Sequence, residues 1–175
     1  IVSAFAPYKR LDIAVEAFNA LGKRLLIAGT GQEEKRLKAM AGKNIEFLGW
    51  KSDTEVAELY RNCRALVFPG EEDFGITPVE AMACGRPVIA YGKGGALETV
   101  RGLDAPEGNG NRPTGIFFYE QTAEALKVAV ESFEANMRAF DPSSIRQAAM
   151  AFDKGVFKDK IGKFILDRCA EAGVR

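Results

Sequence analysis

Short apolar runs alternate along this chain with stretches whose apolar residues recur at helical spacing. Residues 1–3 read as the end of a strand. Residues 11–21 form a helix with Leu11, Val15 and Phe18 on one face and Ala14 beside them. Strands follow at 24–28, ending in Gly29-Thr30-Gly31, and at 45–48, ending in Gly49; a helix at 33–41 lies between them. Ser52 and Glu55 have capping-box spacing at the head of a helix over 52–62. A strand at 65–68 closes on Pro69-Gly70. A helix at 77–84 carries Pro78 at its favoured first position, and a strand at 88–91 runs into Gly92-Lys93-Gly94-Gly95. Residues 101–113, rich in Gly, Pro and Asn, read as a mobile loop. A last strand at 114–118 precedes helices at 122–137, 142–152 and 157–170, with no internal repeat.

This alternation predicts an α/β fold: a Rossmann-like parallel sheet with helices on both faces and extra helices at the C-terminus. Residues 1–140 form the sheet domain and 141–175 a helical extension. Ligands of such sheets sit beyond the carboxyl ends of the strands, and every Gly-rich turn here follows a strand. The glycines therefore gather on one edge.

Charge and composition narrow the function. The 24 basic and 24 acidic residues cancel, which leaves no basic footprint for nucleic acid. No apolar run approaches the ~18 residues of a membrane span, and no charged-then-apolar leader pattern stands in the sequence, so nothing in it suggests secretion. A chain opening on Ile1 in mid-strand is expected to continue upstream. With no histidine, Ser-His-Asp and Cys-His chemistry is excluded. Cys63, Cys84 and Cys169 lack CxxC spacing, so no metal site is expected, and a reducing, cytoplasmic compartment fits.

The segment from Glu71 to Glu80 carries the most chemistry. It joins a strand to a helix N-terminus, where the backbone N–H groups of Gly75 to Thr77 suit an anion. Its carboxylates suit sugar hydroxyls, so the two together suit a phosphorylated sugar. Glu80 has two readings, a capping-box partner of Thr77 or a ligand-binding group. Glu71 and Glu72 likewise read as a solvated acidic loop or as sugar contacts. Asp73-Phe74-Gly75 spells a kinase metal motif, but the histidine and glycine-rich loop of kinases are missing. Gly29-Thr30-Gly31 lacks the third glycine of a dinucleotide fingerprint and reads as a tight turn. Lys9 and Arg10 follow the first strand on the same edge, as phosphate partners or a solvated pair. Trp50 could flank a base, although a core or interface aromatic is the commoner role. The stripe Phe157, Ile161, Phe164 and Ile165, set among lysines, is expected to pack on the domain rather than on a membrane surface.

Glu72-x-Phe74-Gly75-x-x-x-x-Glu80 resembles the E-x7-E motif of retaining family 4 glycosyltransferases. The segments 3–10, 29–31, 47–49 and 80–90 are similar to that family in the same order, most of all to mannosyltransferase-type members of surface-polysaccharide pathways. The resemblance implies the C-terminal, donor-binding half of a GT-B fold, with the acceptor half outside this chain. By that likeness Glu72 would be catalytic at the sugar. Lys9 and Arg10 would hold the donor diphosphate, and Phe74, Gly75, Ile76 and Thr77 the sugar and phosphate. Glu80 would bind the ribose, and Gly49, Trp50, Lys51 and Asp53 would lie at the base. The donor would be a GDP- or UDP-sugar and the acceptor a glycan or lipid-linked group, with no cofactor and no metal. Peripheral contact at the cytoplasmic membrane face would belong to the full-length protein. The anomeric configuration would be kept, and this half would bind donor without turning it over. Ala4 stands where many members carry a second phosphate-binding Arg. The alternatives are an inactive nucleotide-sugar-binding or scaffold module and a sugar-phosphate enzyme of the same fold.

Overall fold

The computed structural model describes residues 1–104 and 112–172. Most of the expected 101–113 loop lies outside the described residues.

Five strands run parallel: β1 (Leu25–Ala28), β2 (Ile45–Gly49), β3 (Leu66–Phe68), β4 (Val88–Tyr91) and β5 (Gly115–Phe118). They match the predicted runs to within a residue at each end. Their hydrogen bonding forms two ladders, β1-β2 and β3-β4-β5, instead of the single sheet expected. The reason lies at the chain's start. Val2 makes an isolated parallel bridge to Ala28, and no ladder among the described residues joins β1 to β3. A cavity of about 520 Å³ is lined from both ladders, by Leu25 and Leu66 together with Ile1, Phe18 and Phe133.

The helices are α1 (Leu11–Leu21), α2 (Glu34–Met40), α3 (Asp53–Asn62), α4 (Ile76–Ala83), α5 (Ala96–Thr99), α6 (Ala123–Ala135), α7 (Pro142–Ala149) and α8 (Lys154–Glu171). The stripe predicted for α1 is buried, and Gly22 ends the helix in a left-handed turn whose N–H returns to the Phe18 carbonyl. α3 has the predicted capping box. α6 is capped by the Thr122 hydroxyl and α7 by Asp141, with Pro142 at its first position. The spacing missed α5. It also ran α6 and α7 through their ends, each of which gives way to a short 3-10 turn, at Met137–Ala139 and Met150–Phe152.

Two expectations need correcting. α4 begins at Ile76, so Pro78 is its third residue; the first turn still has no use for the missing N–H. α8 begins at Lys154 and buries no residue, so Phe157, Ile161, Phe164 and Ile165 stay exposed instead of packing on the domain. No helix among the described residues is long and apolar enough to cross a membrane.

The core is continuous across both ladders. α1 packs on α6, and α4 on α7, which contributes the fully buried Ile145. Gly85 permits that second contact, since a Cβ there would meet the Pro142 carbonyl at 3.0 Å. Ile145→Ala is therefore expected to cost about 2–5 kcal/mol. A denaturant titration would read this as a lower midpoint at unchanged slope. An unchanged midpoint would mean that α7 does not share the core.

Candidate functional site

The turns after the N-terminal segment, β3 and β4 meet backbone to backbone. Glycine makes this geometry accessible. A Cβ on Gly70 would lie 3.0 Å from the Lys9 Cα, one on Gly94 2.5 Å from the Glu72 carbonyl oxygen, and one on Gly95 2.4 Å from that of Asp73. The Gly95 N–H donates to the Glu72 carbonyl at 2.8 Å. Gly94 also has φ +61°, a left-handed conformation that side chains disfavour.

These contacts bring the 3-10 turn Pro7–Lys9 beside the 71–74 loop. Lys9 Nζ forms an ion pair with Glu72 Oε1, and the two side chains are only 15% and 24% exposed. The same ammonium stands over the Tyr8 ring, 5.0 Å from its centroid. Arg10 is turned to other partners. Its backbone is left-handed (φ 50°), and its guanidinium donates to Asp12 Oδ1 at 3.1 Å and to Gln121 Oε1 at 3.1 Å. Gln121 in turn donates to the Pro69 carbonyl, which ties Arg10 to the end of β3.

Gly75, at φ 79°, turns the chain sharply into α4 and occupies its N-cap position without a side-chain cap. The first N–H groups of α4, at Ile76 and Thr77, have no intrahelical acceptor and lie at the positive end of the helix dipole. Phe74 and Ile76 are exposed, and Phe74 meets Phe152 edge-on at 5.7 Å. The capping-box reading of Thr77 and Glu80 is overturned. Thr77 lies inside the helix, and Glu80 Oε2 accepts from the Tyr60 hydroxyl at 3.0 Å. Glu71 pairs with Lys93 at 3.1 Å.

At the end of β2, Gly49 takes φ 69° and its carbonyl accepts from the Gly29 N–H. Trp50 is 74% exposed, which removes the core half of its core-or-interface reading. Lys51 pairs with Glu55, and Asp53 opens α3. The Glu55 carboxyl is pulled down to about 2 by the Ser52 backbone N–H and hydroxyl, with help from Lys51. α3 joins this loop to Tyr60 and hence to Glu80.

The sequence reading missed Tyr60 and Gln121, and it placed Gly94 and Gly95 on this edge without giving them a part in the site. A double glycine directly after a strand was a readable sign of close approach, but a tyrosine or glutamine that acts through tertiary contacts leaves none. Among the described residues no group of His, Cys, Asp or Glu is placed to hold a metal ion. The cavity between the ladders and a second one beside β5 and α6 have none of Lys9, Glu72 or Glu80 in their walls. Glu80, Trp50, Phe74 and Ile76 on this edge face solvent.

Residues 1–149 match the family described as glycosyl transferases group 1. The chain belongs to this family. It is 40% identical over 119 residues to an uncharacterised glycosyltransferase of Methanocaldococcus jannaschii, covering 63% of this chain and 34% of that protein. It is 33% identical over 138 residues to a Mycobacterium tuberculosis GDP-mannose-dependent α-(1-6)-phosphatidylinositol dimannoside mannosyltransferase, covering 74% of this chain and 34% of the relative. It thus spans about a third of the length of these relatives. Anabaena HepE in complex with UDP and glucose has the same fold, with a TM-score of 0.75 at 23% identity over 94% of this chain and 47% of that one. The fold is the Rossmann-like unit of GT-B glycosyltransferases, as the sequence motifs implied.

Gly95→Ala is expected to lower stability by about 1–3 kcal/mol, because its Cβ meets backbone that has little room to yield. Gly162→Ala in α8, where a Cβ meets nothing, is expected to raise stability slightly. Thermal melts of the two variants check this; equal midpoints would mean that the loops after β3 and β4 are not pressed together.

Proposed function

We propose that this chain is the donor-binding domain of a retaining glycosyltransferase that moves a hexose from a nucleoside-diphosphate sugar to a glycan or lipid-linked acceptor. The observation that carries the reading is the meeting of Lys9, Glu72 and the N-terminus of α4 on one strand edge, with Glu80 one helical turn further on. Lys9 and the α4 N–H groups take the diphosphate, which competes with Glu72 for the ammonium. Glu72, released, accepts from a hydroxyl of the sugar at the reacting centre. Phe74 and Gly75 shape the sugar's side of the turn. Glu80 accepts from the ribose hydroxyls through the oxygen that Tyr60 does not hold. The 49–53 loop lies at the base, with Trp50 available to cover it.

In transfer, the bond from the anomeric carbon to the diphosphate oxygen breaks as the acceptor hydroxyl oxygen bonds to that carbon from the face the diphosphate leaves, and the hydroxyl proton passes to the departing phosphate oxygen. Negative charge then grows on the departing phosphate. A cation and helix N–H dipoles already fixed at that point stabilise it without reorganising. With Ala4 beside the first strand and Arg10 bonded to Asp12 and Gln121, Lys9 bears most of this task.

The mycobacterial relative is GDP-mannose-dependent, and at 33% identity it weighs more than HepE's UDP at 23%. GDP-mannose is therefore the first donor to test. In a thermal-shift panel of GDP, UDP, ADP, their sugars and NAD, a ligand at 100 times its Kd adds about 2.7 kcal/mol. One nucleoside diphosphate and its sugar are expected to shift the melt, and NAD is not. Lys9→Ala is expected to weaken that binding by about 10- to 100-fold, the worth of a charge-assisted contact. Wild-type affinity in both Lys9→Ala and Glu80→Ala would put the donor elsewhere. Donor binding without transfer by the longer protein would favour a non-catalytic module.

A further inference from the structure

We infer that Tyr60 is a positioning residue for the nucleotide: its hydroxyl fixes the Glu80 carboxylate in the orientation that receives the ribose. The inference rests on the ribose role of Glu80 proposed above. Tyr60 lies in the last turn of α3 with its ring in the core, 3% exposed, while Glu80 is an exposed residue of α4. The hydroxyl reaches Glu80 Oε2 at 3.0 Å, so a buried, rigid group grips one oxygen of an otherwise solvent-facing carboxylate.

A buried phenol needs an acceptor, and a backbone carbonyl would meet that need. This one instead spends its proton on a carboxylate of the candidate site. Burial, and then the Glu80 charge, push the phenol above its usual range, so it stays a donor at neutral pH and the bond has a single direction. A glutamate side chain on a helix surface would otherwise sample several rotamers. Held by Tyr60, it offers its second oxygen along one direction, and binding does not have to freeze it.

α3 extends the effect. The helix starts at the Ser52 cap, directly after the Gly49–Lys51 turn, and carries Tyr60 in its last turn before ending at Asn62. One rigid element therefore runs from the loop assigned to the base to the carboxylate assigned to the sugar of the same nucleoside. Cys63, just past its end, donates through Sγ to the Tyr60 carbonyl at 3.3 Å and fastens that last turn.

The test is the preference for a ribose over one without hydroxyls. Kd values of this chain are measured for GDP and 2′,3′-dideoxy-GDP, and again for the UDP pair, with melts of the same samples. The wild type is expected to prefer the ribonucleotide, and Glu80→Ala to lose that preference. Tyr60→Phe, which keeps the ring, is expected to cut the preference about tenfold, the lower end of what one hydrogen bond to a charged group is worth, and to leave the dideoxy affinity unchanged. In the Glu80→Ala background Tyr60→Phe is expected to change nothing further, since the Tyr60 hydroxyl then has no Glu80 carboxylate to hold. A Tyr60→Phe chain that weakens both nucleotides equally, or neither, overturns the positioning role while the Glu80 reading stands. If Glu80→Ala keeps the wild-type preference, or the wild type shows none, the ribose role of Glu80 falls and the inference falls with it.

Discussion

Backbone has to touch backbone at the ends of β3 and β4 before the rest of this edge can form. The turn Gly94-Gly95 lies directly against the carbonyls of Glu72 and Asp73, and Gly70 lies against the backbone of Lys9. Each contact removes the space a side chain would need. Together they set where Glu72 stands relative to Lys9 and where the chain turns at Gly75 into α4. The ladders supply the platform, but the three turns decide the chemistry. Parallel strands all deliver their following turns to the same edge, which is why so much of this chain's glycine is found there.

The Lys9–Glu72 pair follows from that placement and bears on how the site works. Both side chains are largely removed from water, so each loses hydration that the ion pair only partly returns. As a source of stability it is a poor arrangement. As a preparation for an anion it is a good one, because the ammonium is already oriented and partly desolvated, and its present partner is itself a site residue. Arg10 makes a useful contrast. It is next in sequence and carries the same charge, but its left-handed backbone sends the guanidinium to Asp12 and Gln121, where it braces the end of β3.

Local features of the chain were legible, and features made by distant contacts were not. The Ser52–Glu55 box follows from spacing alone, because cap and partner lie within one turn of one helix. Thr77 and Glu80 have the same spacing and form no box. Gly75 takes a conformation that starts α4 before Thr77 can cap it, and Tyr60, from another helix, claims the Glu80 carboxylate. The amphipathic stripe of α8 was visible, but periodicity says only that a helix has an apolar side, not what covers it. The core reading of Trp50 fails for a related reason: aromatic identity favours burial on average, and this one follows Gly49 onto an open loop. The motif 72–80 was readable as chemistry because it is contiguous. Its link to Lys9 required the fold.

Exposure to solvent limits what these groups can do alone. Fixed charges act most strongly where water is excluded, and at an exposed edge they are screened. Lys9 and Glu72 are the partly sheltered exception, while Glu80, Trp50, Phe74 and Ile76 face solvent. On the proposed reading the polar grips on a nucleotide are preset, by Tyr60 on Glu80 and by the turn at Gly75 on the α4 N–H groups, but the apolar cover is not. Binding by such a surface depends on groups held in position beforehand, since little apolar area is ready to be buried. Transfer asks for more, because charge separating at the anomeric carbon has to be shielded from water on every side. On the proposed reading the geometry divides the two tasks: this edge organises the donor, and shielding the reacting carbon from water falls to groups beyond it.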